Sequence, residues 1–142
     1  FTVTTAESCT AGKLAGRIMN VAGASEVYNE GYITYANAAK EKLLGVKHET
    51  LETFGAVSEE TAREMAMGAA KEAGADAALS VTGIAGPGGG TLEKPVGLVY
   101  IGCYVQGEVY VKKCQFTGNR ERNRDSSVVQ ALTFLREKLL DR

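Results

Sequence analysis

The sequence predicts an α/β fold: a mixed β-sheet with helices on both faces. Three observations carry this. Strand-like and helix-like segments alternate through the first half of the chain. The run "ADAALSVTGIAG" is continuously small and apolar, as a strand buried on both faces must be. A further pair of strand-like segments then turns back on itself before a closing amphipathic helix, so antiparallel pairing is expected beside the parallel kind. The 142 residues fit a single domain, 1–142, which at this size buries roughly 68–70% of its extended-chain surface and needs no disulfide or metal to hold it.

Taken in order, "FTVTTAES" alternates β-branched and small residues and reads as the first strand. "TAGKLAGRIMNVAG" places Leu14, Ile18 and Val21 at helical spacing before Gly23 stops it. "VYNEGYITYA" is a second strand, and "NAAKEKLLG" a short helix ending at Gly45. "HETLETFG" suggests another helical turn. "SEETAREMAMGAAKEAG" carries Ser58 at the cap position three residues before Thr61, acidic residues in its first turn, and a stripe of Ala62, Met65, Ala69 and Ala73. "LVYIGCYVQGEVYVKKCQF" predicts a hairpin turning at Gln106-Gly107. "RERNRDSSVVQALTFLREKLL" closes the chain, with Val129, Leu132, Leu135 and Leu139 as its apolar side.

Composition narrows the function classes. A formal charge of −1 gives no footprint for nucleic acid or an anionic membrane surface, so neither partner is expected. No apolar run approaches the ~20 residues of a membrane span. Cys9, Cys103 and Cys114 form no C-x-x-C pair, and with one histidine in the chain no metal site is expected. Three reduced thiols in a cytoplasmic protein are the expectation. The chain starts on Phe1 directly in strand-like sequence, so an upstream segment is expected in the parent protein.

The candidate chemistry begins at "TTAESCTAGKLAG", where Ser8, Cys9 and Thr10 stand at a strand–helix joint. Ligands of open α/β sheets bind at such carboxyl edges, and free N–H groups there can stabilise an oxyanion while a serine attacks a carbonyl. A plain N-cap worth ~1 kcal/mol explains an isolated serine equally simply. His48 sits among charged residues and reads as a solvated surface side chain, which removes a Ser-His-Asp triad and a Cys9–His pair. Lysine is then the remaining base. Lys40 shares a helix face with Ala36, Leu43 and Leu44, whereas Lys42 lies about 200° further round. An inward lysine is pushed toward its neutral, proton-accepting form by desolvation; a snorkelling ammonium is the competing account. Tyr35, at the end of the second strand, offers a hydroxyl between amine and serine, or simply a packed ring.

"GIAGPGGG", Gly83 to Gly90, follows a strand but lacks the Gly-Lys-Ser/Thr of a Walker loop, and no helix follows as a dinucleotide fingerprint requires. Its glycines let backbone N–H groups approach an anion or a flat ring, although a simple connection has the same composition. Arg120, Arg122 and Arg124 open the last helix, where cations oppose the dipole and a bound phosphate would relieve them. Arg120 and Arg124 share a face; Arg122 points elsewhere.

Taken together, "TAESCTAG", "GYITYANAAKEKLLGV", "GAVSEETAREMA", "SVTGIAGPGGG", "EKPVGLVYIG" and "FTGNRERNR" resemble the C-terminal domain of the CinA family, the nicotinamide-nucleotide amidohydrolases, over about Val3 to Leu139. The resemblance implies a three-layer α/β/α sandwich around a mixed, mostly parallel five-stranded sheet, with the family's helix before the first strand missing. It implies deamidation of nicotinamide mononucleotide to nicotinate mononucleotide and ammonia, with no cofactor and no metal. The family's catalytic serine, tyrosine and lysine fall on Ser8, Tyr35 and Lys40. Substrate contacts fall on Cys9, Thr10, Gly83, Ala85, Gly86, Gly88, Gly89, Arg120 and Arg124. A small-molecule substrate and a homo-oligomer, such as a dimer, are the expected partners. Ala11 stands where many relatives carry glycine. Two other functions remain open on the residues: a non-catalytic nucleotide-binding regulatory module, and a cysteine amidase using Cys9.

Overall fold

A computed structural model describes residues 1–142. The strands are β1 (Val3–Glu7), β2 (Tyr32–Ile33), β3 (Ala77–Gly83), β4 (Leu98–Val105) and β5 (Glu108–Gln115). The helices are α1 (Lys13–Ile18), α2 (Asn37–Leu44), α3 (His48–Phe54), α4 (Glu59–Ala73) and α5 (Arg120–Leu140), with a 3-10 turn at Ala24–Glu26. The five strands form one sheet in the order β2-β1-β3-β4-β5. β1 pairs in parallel with β2 and β3, while β3–β4 and β4–β5 are antiparallel. Four strands therefore share one direction, although the pairings divide evenly between the two kinds.

The sheet separates two cores. On one side Leu79, Val81, Ile101 and Cys103 meet Leu14 of α1 and Val128, Ala131 and Leu135 of α5. On the other Ala6 and Ala78 meet Leu44, Leu51, Met65 and Ala69 from α2, α3 and α4. This is the three-layer α/β/α arrangement. Alanines and Gly102 let α4 lie close to the sheet: a Cβ on Gly102 would stand 2.5 Å from Ala62 O. Ser80 Oγ ties the layers together, donating to Ala62 O at 2.6 Å and accepting from Gly102 N at 3.1 Å.

Local signals placed most element ends. Ser58 Oγ accepts from Thr61 N at 3.1 Å and caps α4. Gln106 and Gly107 both take positive φ, 45° and 95°, as a two-residue turn matched to strand twist requires. Three expectations need correction. β2 keeps only two paired residues of the long second strand. α1 spans six residues: it starts after Ala11 and Gly12, whose φ of 44° and 99° break the helical path, and Val21 is exposed. The buried face of α5 runs through Val128, Ala131, Phe134 and Leu135, with Leu132 and Leu139 beside it and Val129 outside. Periodicity alone left that phase free by one residue. No helix is long and apolar enough to cross a membrane.

Candidate active site

β2, β1 and β3 run in parallel, so their carboxyl ends reach the same edge of the sheet. The ladder continues one step past β1: Ser8 N donates to Val81 O at 2.9 Å, and Thr34 N donates to Glu7 O at 2.8 Å. Ser8 is thereby set between the segments leaving β2 and β3. A cavity of about 340 Å³ opens there, and Ser8, Cys9, Tyr35, Lys40, Gly83, Ala85, Gly86, Gly88, Gly89 and Arg120 all stand in its wall. A larger hollow of about 530 Å³ lies elsewhere, beside Arg122 and Gln130 on α5, but no buried residue lines it.

Lys40 is 1% exposed, and only Leu44 shares its burial on α2; Lys42 and Leu43 face solvent, and so does Ala36. Its Nζ lies 2.9 Å from Ser8 Oγ and donates to the carbonyls of Thr34 at 2.8 Å and Tyr35 at 3.1 Å. Burial lowers the ammonium pKa from 10.5 to about 8, because the charged form loses its hydration. A neutral amine has two N–H bonds and one lone pair. With two carbonyls taking the N–H groups, the lone pair is left for the serine hydroxyl. The amine meets the serine directly, with no Tyr35 phenol between them. That side chain is 66% exposed, and it is the Tyr35 carbonyl that touches Lys40.

The turn after Ser8 departs from the expected helix start. The first N–H groups of α1 are already taken: Leu14 N and Ala15 N donate to the two oxygens of Glu7, at 2.8 and 3.0 Å, and Glu7 is 1% exposed. The N–H groups of Cys9 and Thr10 find no acceptor on another residue, and they belong to a turn, not to a helix. Thr10 lies off the cavity wall, its buried Oγ1 without a partner. Burial pushes the Cys9 thiol up to about 11, although Arg124 and Lys40 pull the other way. The thiol therefore stays protonated at neutral pH, which makes it a poor nucleophile.

The glycine loop is held from α5. Asn123, 1% exposed, donates through Nδ2 to Ala85 O at 3.0 Å and Gly118 O at 2.9 Å, and Arg120 donates to Gly86 O at 2.8 Å. Gly86 sits at φ 91°, where a Cβ would stand 2.5 Å from the Val96 side chain. The two arginines expected to act alike divide. Arg120 stands in the cavity wall; Arg124 turns instead to the backbone of the serine turn, donating to Cys9 O at 2.8 Å and Thr10 O at 3.1 Å.

Sequence reasoning missed Ala56, Val57 and Thr82, which with Ile84 of the glycine loop complete the wall, and also Glu7 and Asn123. Thr82 Oγ1 donates to Ala56 O at 2.8 Å, joining the end of β3 to the segment before α4. A carboxylate directly before the serine and seven residues ahead of a helix N–H was the one legible signal among them. His48 is exposed and lies between Glu41 at 3.3 Å and Glu52 at 3.4 Å, off the cavity. No group of three or more His, Cys, Asp and Glu side chains is placed to hold a metal ion. The arrangement can deprotonate a serine hydroxyl beside two N–H groups that no other residue engages.

Residues 1–139 match the CinA C-terminal domain family. A CinA-like protein of Kosmotoga olearia is 61% identical over 140 residues, 99% of this chain and 34% of that protein. A putative competence-damage inducible protein of Alkaliphilus metalliredigens is 56% identical over 139 residues, 98% of this chain and again 34% of its own length. The chain thus spans about a third of these curated relatives. Among solved structures, the competence/damage inducible protein CihA from Agrobacterium tumefaciens is 48% identical with a TM-score of 0.92, covering 94% of this chain and 82% of that one. A CinA superfamily protein from Klebsiella pneumoniae is 37% identical with a TM-score of 0.96, covering 100% and 89%. With its fold, its ordered motifs and these matches in agreement, the chain belongs to the CinA C-terminal domain family.

Proposed function

We propose that this domain is an amidohydrolase in which a serine–lysine pair removes the amide of nicotinamide mononucleotide, giving nicotinate mononucleotide and ammonia. The observation that carries the reading is the 2.9 Å approach of the buried, low-pKa Lys40 amine to Ser8 Oγ at the cavity wall. Ser8 Oγ forms a bond to the carboxamide carbon as its proton moves to Lys40 Nζ, and the carbonyl electron pair moves onto oxygen. The N–H groups of Cys9 and Thr10 hold that oxyanion. Lys40 then returns the proton to the amide nitrogen, the carbon–nitrogen bond breaks and ammonia leaves. Water attacks the resulting ester while Lys40 accepts its proton, and the serine regains that proton as the acid departs.

The cavity supports an anionic ligand. Arg120 brings a guanidinium to its wall, and no carboxylate lines it. The glycine loop offers backbone to a flat ring or to phosphate oxygens, and Arg120 retains guanidinium donors beyond the one on Gly86 O. The relatives' names speak of competence and damage induction and specify no reaction.

The test is ammonia release from nicotinamide mononucleotide, with and without a chelator. Release insensitive to chelation is expected, and Ser8→Ala should lose roughly 10⁶-fold in kcat, as nucleophile removal does in serine proteases. Binding without release would instead identify a regulatory module. Retained turnover in Ser8→Ala, with loss in Cys9→Ser, would assign the chemistry to the thiol.

A further inference from the structure

We infer that Arg124 is a positioning residue for the oxyanion turn, not a contact for the substrate's phosphate. The inference rests on the proposed serine–lysine reading and deepens it. Arg124 uses two guanidinium N–H groups on two successive carbonyls, Cys9 O at 2.8 Å and Thr10 O at 3.1 Å, across 115 and 114 residues of sequence. It does not stand in the cavity wall, whereas Arg120, one helical turn earlier, does. The two peptide units concerned are trans, the one cis bond being Gly86-Pro87. In a trans unit the carbonyl and the following N–H point in opposite directions. Fixing Cys9 O therefore fixes the Thr10 N–H, and fixing Thr10 O fixes the Ala11 N–H, both directed away from the guanidinium. A cation on the carbonyl also polarises the unit, which strengthens its N–H as a donor.

This turn needs an external hold. Ala11 carries a side chain at φ 44°, a left-handed conformation that costs about 1–2 kcal/mol for a non-glycine residue, and Gly12 follows at φ 99°. Both lie outside the regular turns of α1, which begins only at Lys13. Glu7 anchors the far end by capping α1 through Leu14 N and Ala15 N, and Arg124 anchors the near end. Lys13 Nζ, 2.7 Å from Asp125, adds a second tie between the turn's exit and α5. The turn is therefore held by three charged side chains, while Cys9 N and Thr10 N keep their hydrogens without an acceptor on another residue.

The experiment compares Arg124→Ala and Arg124→Lys with the unsubstituted chain on nicotinamide mononucleotide and on nicotinamide riboside, which lacks the phosphate. A brace predicts that Arg124→Ala lowers kcat about 10²-fold on both substrates, the loss typical of one oxyanion donor, with KM changed less than about threefold. Millimolar guanidinium should restore part of that kcat. Arg124→Lys, which keeps the charge but cannot span two carbonyls, should recover less than guanidinium does. A rise in KM confined to the mononucleotide, with kcat kept, would make Arg124 a phosphate contact and overturn the inference; so would unchanged kinetics. A readout free of activity separates this from failure of the serine–lysine reading. The backbone amide order parameters of Thr10 and Ala11, measured by NMR, should fall in Arg124→Lys. If they stay as in the unsubstituted chain, the brace is wrong, whatever reaction the domain catalyses.

Discussion

The half of the sheet formed by β2, β1 and β3 buries a different chemistry from the β4–β5 hairpin. Thr4, Thr5, Glu7, Ser8, Thr34, Ser80 and Thr82 are all buried on or just beyond the parallel strands, and Lys40 reaches in beside them. No buried polar side chain lies on β4 or β5, where Val99, Ile101, Cys103 and Val105 form the inner face. The cause is topological. Parallel strands end at one edge and leave it by separate connections, here two crossovers and the glycine loop, so three loops meet there and their backbone groups can serve one another's side chains. A hairpin with a two-residue turn brings no such convergence. Buried polar groups tied to backbone are confined to the parallel half, whereas apolar contact runs across both halves and is all that β4 and β5 bury.

That division can be broken or sharpened by experiment. Lys40→Met removes the base with little loss of volume and should lower kcat/KM by about 10²- to 10⁴-fold. Thr34 O and Tyr35 O lose their donor, at about 1–3 kcal/mol, but a charged amine also leaves a dry site. Folded stability, followed by urea unfolding, should therefore move by no more than about 1 kcal/mol. Ile101→Ala is the converse. Its side chain is wholly buried in the α5-side core, so truncation should cost about 2–5 kcal/mol in the same urea titration. At temperatures where that variant remains folded, its kcat should stay near that of the unsubstituted chain. Equal losses of activity in the two variants would erase the distinction between the halves.

The smallest expected effect is in pH. With the Lys40 pKa lowered to about 8 by burial, the neutral amine rises with pH, and kcat/KM should climb roughly tenfold from pH 7 to 9, with its inflection near 8. The stability consequence has the same sign at first. From about 8 up to 10.5 the native lysine holds fewer protons than the unfolded one, so unfolding free energy gains with rising pH. Above 9.0 the buried thiols oppose this, because Cys9 and Cys103, raised by burial to about 11 and about 12, stay protonated in the fold while the unfolded thiols ionise. Urea midpoints measured at pH 8, 9 and 10 should rise and then fall, and Lys40→Met should lose the rise alone.

Much of this was legible in the sequence. The element order, the Ser58 cap and the Gln106-Gly107 turn each follow from residues within a few positions of one another, whereas the setting of Lys40 was left open, since only Leu44 of its expected face is buried. Ten of the cavity's lining residues were legible in the sequence, but none of their contacts were. The phenol of Tyr35 suggested itself because side chains are what a sequence displays; the group that touches Lys40 is that residue's carbonyl, which every residue possesses. Arg120 and Arg124 looked equivalent on one helix face, and only the position of the 8–12 turn against α5 separated them.

By itself, then, the sequence determined the order of strands and helices, the Ser58 cap and the hairpin turn, because periodicity, capping hydroxyls and left-handed glycine positions act over single turns of chain. Only the tertiary structure decided which polar groups meet. Glu7 with the first N–H groups of α1, Arg124 with the serine turn, Asn123 with the glycine loop and Lys40 with Ser8 are all pairings set by where parallel strand ends and α5 come together. A buried donor or acceptor must find a partner wherever the fold brings one, and that location is a property of the assembled sheet and not of its neighbours in sequence.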